Sequence, residues 1–367
     1  MLTNYDLTQL TIGVLGGHSA LDLCAGAKKM GFKTLVVAQK GREKTYTQHY
    51  KTRGDKGCVD EVLVLDKFAD IVKPEVQEEL RKRNTIFVHN RYFWVYCDFD
   101  AIEKDFHVPI YGTRHLVRLE ERDVEKNQYW LLEQAGIRIP KMHASYKDIA
   151  GPVIVKVNEA IRTYERAFFV VTTPEEFLEK SQAMIASGQI TQAALDKAVI
   201  EEFIVGAQVN FNFFYSVLSG ELELMGTDAR RQTSLDGFLR LDAVTQTALL
   251  ASGYKPSMVE TGHFAVTTKE SLIEKIYDIG EKFVKVTQEH ADPGIIGPFA
   301  LQGAVASESG REELVIFDVS MRIPGSPGTS FTPYTGYLWG HSMSYGERIA
   351  MELREALDSG RLLELLT

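Results

Sequence analysis

The sequence is short of cysteine, of net positive charge and of long apolar runs, and each shortage removes a class of function. Its three cysteines, Cys24, Cys58 and Cys97, are scattered, and no CxxC pair, HExxH or Cys/His cluster occurs. Neither a structural zinc nor a disulfide framework is expected, since both need closely spaced ligands or paired thiols. Lysine and arginine number 41 against 50 acidic residues, a net charge of −9. Phosphate backbones demand a basic face, so no nucleic-acid partner is expected, while a local basic pocket for a small phosphorylated ligand stays compatible. No apolar run reaches membrane-spanning length, and the opening MLTNYDLTQL lacks the basic-then-apolar pattern of a signal. No membrane partner and a cytoplasmic location are expected. Internal repeats and low-complexity tracts are missing as well.

What is present is the composition of a globular protein, 44% apolar and 25% charged, in a chain of 367 residues. That length is too great for one ordinary core and suits two or three packed lobes. The first third alternates short apolar runs, LTIGVL (10–15), KTLVVAQ (33–39), EVLVLD (61–66), TIFVHN (85–90) and VPIYG (108–112), with helical or loop material. This predicts a parallel, Rossmann-like sheet. A helix is expected to open at Ser19, with Asp22 completing a capping box, and to close at Gly31. A charged helix over 117–135 follows, then strands PVIVKV (152–157) and RAFFVVT (166–172) and helices at 174–187 and 191–198. From Val199 the pattern turns antiparallel. In QVNFNFFYSVL (208–218), Val209, Phe211, Phe213 and Tyr215 share one face, and GPFALQGAVAS (297–307) with EELVIFDVSMRI (312–323) flank a hairpin turn. The closing helix, 344–357, is expected to carry Arg348, Glu352 and Arg354 on its polar face.

Four constellations can carry chemistry. Gly16-Gly17-His18-Ser19 follows the first strand, where glycines admit a ligand and free N–H groups bind anions; the alternative is a glycine turn with a capped helix and an incidental histidine. It is not a dinucleotide fingerprint, because the glycine spacing is wrong and the second strand ends at Gln39-Lys40 rather than at an acidic residue. Lys40, Gly41, Arg42 and Lys44 suit a phosphate, or form a solvated loop. In the hairpin, a turn centred on Gly310 sets Gln302 opposite Asp318, with Ser320 and Arg322 continuing the row. Two oxygen ligands beside an arginine suit a magnesium-bound triphosphate, against the alternative of a structural Asp318–Arg322 pair. Lys156, ending PVIVKV, can reach a phosphate or be a plain strand-end lysine. Glu201-Glu202-Phe203-Ile204 suits an adenine slot or an exposed acidic strand start.

Taken together these segments resemble an ATP-grasp enzyme, in which α+β lobes close on ATP behind a Rossmann-like N-terminal domain. More narrowly, the chain resembles, over nearly its full length, the archaeal synthetases that make formaminoimidazole carboxamide ribonucleotide. The segments that carry this are GGHSALDLCAGAKKMGFKT (16–34), EQAGIRIPK (133–141), GPVIVKV (151–157), IEEFIVGAQVNFNFFYS (200–216), ELELMGTDAR (221–230), IIGPFALQ (295–302), VIFDVSMR (315–322) and GERIAMELREA (346–356). The fold class implied is α/β and α+β: a Rossmann-like domain at 1–116, a small ATP-grasp lobe at 117–198 and a large lobe at 199–367.

The resemblance implies a purine-synthesis ligase that uses ATP, Mg²⁺ and formate to formylate the amine of aminoimidazole carboxamide ribonucleotide through formyl phosphate, and a homo-oligomer. It implies that His18, Ser19, Tyr92 and His263 contact the ribonucleotide. Lys156, Glu201, Glu202, Phe203, Ile204 and Gln232 are implied for ATP, Gln302 and Asp318 for magnesium, and Lys156 with Arg322 for phosphoryl transfer. The chain departs from the family at named places. The phosphate-covering loop, 158–165, has no glycine, so Arg162 or Arg166 would have to substitute. Trp130 stands where a phosphate-binding lysine is normal, with Lys126 one turn earlier. Arg91-Tyr92 replaces a glycine–serine pair, His263 an asparagine, Gln232 a glutamate, and Asp318 a longer glutamate. Two other readings follow from these changes: a paralogue acting on another substrate, and a catalytically silent nucleotide-binding protein that regulates or assembles with an active partner.

Overall fold

The computed structural model describes residues 2–122, 124–157, 167–254, 256–257, 259–308 and 310–367, and these form three sheets. The first is parallel, built from β1 (Thr11–Leu15), β2 (Lys33–Gln39), β3 (Glu61–Leu65), β4 (Thr85–Val88) and β5 (Ile110–Tyr111), in the order β3-β2-β1-β4-β5. β1 and β4 are buried along their whole length because both faces are covered, which is why they read as continuous apolar runs. Ile12, Val14, Val36 and Val88 pack on one side, and Leu15, Leu35, Val37 and Phe87 on the other. The order reverses between β1 and β4. In open parallel sheets, ligands enter at that switch point, beyond the strands' C-terminal ends.

Helix α1 (Ala20–Lys29) follows β1, α2 (Pro74–Lys82) precedes β4, and α3 (Arg91–Tyr96) follows it. The capping box expected at Ser19 is not formed. Ser19 is left-handed (φ 61°) and makes no cap, and Asp22 instead accepts from the Gly346 N–H at 3.0 Å. The helix expected over 117–135 is broken into a turn at Leu116–Glu120 and α4 (Gln128–Gln134). The Asn127 side chain accepts from the Tyr129 and Trp130 N–H groups and so starts α4 afresh, while Glu120 and Arg122 between the two turn inward.

The second sheet is antiparallel, in the order β6-β9-β7-β8, from β6 (Met142–His143), β7 (Val153–Val157), β8 (Ala167–Val171) and β9 (Val199–Glu202). Phe177 of α5 (Pro174–Ala186) packs on Val153, Val155 and Phe169. β9, expected to open the large lobe, pairs with β7 instead. The loop holding Arg162 and Arg166 lies outside the described residues.

The third sheet is an antiparallel meander, β12-β11-β10-β13-β14, from β10 (Gly206–Ser216), β11 (Glu221–Gln232), β12 (Glu260–Val266), β13 (Gly297–Glu308) and β14 (Arg311–Ser320). Val209, Phe211, Phe213 and Tyr215 share a face as expected, packed under the amphipathic helix Glu270–His290. The hairpin closes tighter than expected, with Glu308 paired to Arg311. A bulge between Gln302 and Gly303 then absorbs the extra residue and restores Gln302 opposite Asp318.

The last helix, Tyr345–Asp358, lies across α1 at a glycine contact. A Cβ on Gly26 would stand 2.1 Å from the Gly346 carbonyl carbon, and one on Gly346 2.1 Å from the Asp22 oxygen. Arg348 and Glu352, expected on its polar face, are buried. Arg348 forms a forked pair with Glu223 of β11 and bridges Glu352 at 2.8 Å, which satisfies charges that burial would otherwise penalise. Among the described residues no helix is long and apolar enough to cross a membrane.

Candidate functional site

A polar cleft lies where the ends of β1 and β4 meet the open face of the third sheet. His18 and Arg91 form one wall. Asn90 ties their loops together: its side-chain amide donates to the Leu15 and His18 carbonyls at 2.8 and 3.0 Å. Ser19 is held by donation to the Pro324 carbonyl at 2.5 Å, and Gly325 packs so closely on His18 that a Cβ would sit 2.2 Å from Nδ1. Burial lowers the His18 pKa, so the ring is neutral at pH 7. Tyr92 does not line the cleft. It stands edge-on behind His18 at 5.5 Å, among Phe68 and Tyr96, and buttresses that ring.

The floor comes from the face of β10 and β11 opposite the phenylalanines. Asp228, fully buried, accepts from Asn212 at 2.6 Å and Asn210 at 2.9 Å and pairs with the Nδ1 of His263. The other ring nitrogen of His263 meets Glu260 at 3.1 Å. Burial opposes a charged ring, but the hydrogen bonds it donates to Asp228 and Glu260 outweigh that and raise the His263 pKa to about 9. Glu260 is held down at about 2 against its own burial, chiefly by His263 and Arg230.

Arg230 donates to the Gln302 side-chain oxygen, and the Gln302 amide donates to Ser320 at 3.0 Å. Arg322 faces the same space, 3.5 Å from Glu120, which accepts from the Met321 N–H at 2.5 Å. Burial lowers the Arg91 pKa, and the like charge of Arg322 adds to the effect.

A second charged cluster lies on the far side of Asp318. Lys156 pairs with Glu201 and donates to the Tyr129 hydroxyl at 3.0 Å and the Phe317 carbonyl at 3.3 Å. Tyr129 donates to Glu201 at 2.6 Å. Burial lowers the Lys156 pKa. Arg122 reaches Asp318 at 3.4 Å, and that carboxylate keeps the buried guanidinium charged. Since Asp318 stands opposite Gln302, the hairpin joins cluster and cleft.

Of the four adenine-slot residues only Glu201 sits in this cluster. Glu202 accepts from the Lys141 N–H at 3.1 Å, the Phe203 N–H donates to the Pro152 carbonyl at 3.0 Å, and Ile204 packs with Ala304, Ala306 and Val315. Gln232 pairs with Glu260 across the strands and is not part of the cleft lining. Sequence reasoning passed over Arg122, Tyr129, Asp228, Arg230 and Glu260 as site residues. A signal existed for the floor: Asn210, Asn212 and Asp228 interrupt apolar strands at alternating positions, opposite the phenylalanine face.

A parallel first domain whose switch point faces one antiparallel sheet, with a second antiparallel sheet setting a buried lysine–glutamate pair against that sheet's hairpin, is the arrangement of the ATP-grasp class. The crystal structure of N5-carboxyaminoimidazole ribonucleotide synthetase in its ADP complex shares this fold at a TM-score of 0.62, 11% identity, over 95% of this chain and 77% of that one. Residues 12–143 and 176–367 match two families described as a protein of unknown function (DUF1246) and a domain of unknown function (DUF1297). The 5-formaminoimidazole-4-carboxamide-1-(beta)-D-ribofuranosyl 5'-monophosphate synthetase of Methanopyrus kandleri is 38% identical over 100% of this chain and 98% of its own length. The crystal structure of an IMP biosynthesis protein, PurP, from Thermococcus kodakaraensis superposes at a TM-score of 0.71 with 26% identity, over 97% of this chain and all of that one. The chain belongs to this synthetase family.

Proposed function

We propose that the chain formylates 5-aminoimidazole-4-carboxamide ribonucleotide at the expense of ATP and formate. A formate oxygen attacks the γ-phosphorus and ADP leaves; the exocyclic amine then attacks the formyl carbon, phosphate leaves, and the nitrogen gives up a proton. The observation that carries the reading is the Gln302–Asp318 pair, which stands between the Lys156 cluster and the arginine-lined cleft and so would let a nucleotide and a second anionic substrate meet edge to edge. Lys156 would hold ATP phosphates once Glu201 yields it. Arg322, with Arg91 and Arg230, would neutralise the transferring phosphoryl group and the ribonucleotide phosphate. His18 would position the ribonucleotide as a neutral ring.

The residues fit magnesium only as a shared ligand. Asp318 has one carboxylate, partly engaged by Arg122, and the Gln302 amide oxygen would have to be released by Arg230, while among the described residues no three His, Cys, Asp or Glu side chains form a metal site. Mg²⁺ characteristically takes one or two protein oxygens and completes its shell with phosphate and water, so Gln302 and Asp318 would hold it with the triphosphate. When bound it supplies charge neutralisation on the phosphate oxygens.

A second reading, a family member with an altered acceptor, draws on one observation: both ring nitrogens of His263 are committed to carboxylates, so it offers the ribonucleotide no donor. The test of the main reading is ADP release with ATP, formate and the ribonucleotide together. Release that needs all three supports it. Release without dependence on the ribonucleotide sinks it, and a screen of other amines then decides for the altered acceptor.

A further inference from the structure

The cleft that gathers Arg91, Arg230 and Arg322 for an anion also contains one half-exposed carboxylate, which a phosphate would avoid. That group is Glu260, at the start of β12, with 32% of its side chain exposed. Its Oε1 accepts from the imidazole of His263, which is fixed from below by Asp228. Its Oε2 is ion-paired with the Arg230 Nε at 3.5 Å, too long for a strong hydrogen bond, which leaves it lone pairs for a further donor. The Asp228–His263–Glu260 row therefore spans from buried floor to open rim. A buried carboxylate holds a cation, and the cation holds a second carboxylate in one orientation toward the ligand space.

An ionised carboxylate accepts hydrogen bonds and donates none. Set against three guanidinium groups, it gives the cleft a direction. The phosphate end of a ligand is drawn to Arg91 and Arg322, and an end bearing N–H or O–H groups is drawn to Glu260. We infer that Glu260 is a specificity-determining ligand of the cleft, accepting an N–H or O–H donor of the ribonucleotide, and that His263 is the positioning residue that aims it. This rests on the proposed ribonucleotide reading of the same cleft.

The experiment is calorimetric titration of the full chain with 5-aminoimidazole-4-carboxamide ribonucleotide and, separately, with ATP and magnesium. Glu260→Gln keeps the size and removes the charge; it should weaken ribonucleotide binding about tenfold or more and leave ATP binding unchanged, as losing a charge-assisted hydrogen bond does. Glu260→Asp, which keeps the charge on a shorter arm, should retain more of the ribonucleotide binding than Glu260→Gln, an order that a role for side-chain size alone would reverse. His263→Gln should weaken the ribonucleotide but not ATP, and intact ribonucleotide binding in that variant would remove its positioning role. With the 2′-deoxy ribonucleotide, loss of the Glu260 dependence identifies a ribose hydroxyl as the donor, and its persistence identifies an N–H group. Wild-type protein that binds no ribonucleotide takes down the synthetase reading and this inference with it. Wild-type binding that Glu260→Gln leaves untouched overturns this inference alone.

Discussion

Lys156 and Glu201 each depend on the other to remain inside the protein. Both side chains are almost wholly buried, and Tyr129 fills the remaining hydrogen-bonding capacity. Removing one partner strands a charge, whereas removing both leaves an apolar gap that packing can fill. Glu201→Ala should therefore cost about 3 kcal/mol or more, and the double change Lys156→Met/Glu201→Leu should recover most of it, as read from chemical denaturation. Equal losses in the two variants would mean that the pair is not coupled. His263 gives a pH signature. Its folded pKa near 9 lies above the free value of 6.5, so its contribution is complete below about pH 6.5 and is lost as pH rises through 9. Wild type should lose on the order of 3 kcal/mol between pH 6 and 10 relative to His263→Asn; parallel stability curves would show that the row is not ionised as described. The sequence made His18, Lys156, Gln302 and Asp318 visible because each sits at a strand end or on a hairpin face. It hid Arg122, Asp228 and Glu260, whose surroundings depend on which segments the three sheets bring together, and it could not tell that Tyr92 would turn behind His18 while Arg91 beside it lines the cleft.

Alternation and apolar run length made most strands readable, since they report which faces are covered. Where the local pattern and tertiary demand diverged, the reading failed. The helix predicted over 117–135 is interrupted because Glu120 and Arg122 are drawn into the site and Asn127 restarts the helix. The Gln302–Asp318 pairing came out right only because a bulge compensates a tighter turn. The crossing of α1 by the last helix was invisible, as Gly26 and Gly346 look like ordinary glycines until the two backbones meet. Alanine at either site must push against backbone atoms that cannot rotate away. Gly26→Ala and Gly346→Ala should each destabilise by about 2 kcal/mol, seen as a fall in Tm, while Gly340→Ala, where added bulk would meet nothing, serves as a control for backbone strain alone. An unchanged Tm in both crossing variants would show that the helices do not touch there.

At the scale of the molecule, large apolar side chains stand exposed among the described residues. The helix Ala243–Ala251 has no buried residue, with Val244 80% and Leu250 52% exposed, while Phe331 of the turn Pro327–Phe331 is 85% exposed and Tyr337 of the helix Tyr334–Trp339 is 75% exposed. Exposed apolar groups of this size suit an association surface, and the family resemblance implies a homo-oligomer. Sedimentation should find a mass above that of one 41.2 kDa chain, and Val244→Asp or Tyr337→Glu should lower it without loss of helix signal. A wild-type monomer would contradict the assignment.

The cleft belongs to no single sheet. His18 and Arg91 rise from the parallel one, while Arg230, His263 and Arg322 come from the meander or the segment leaving it. A molecule seated there is a rivet between two plates, under tension whenever they part. Saturating ribonucleotide should therefore make the molecule harder for a protease to cut at the junction between the plates.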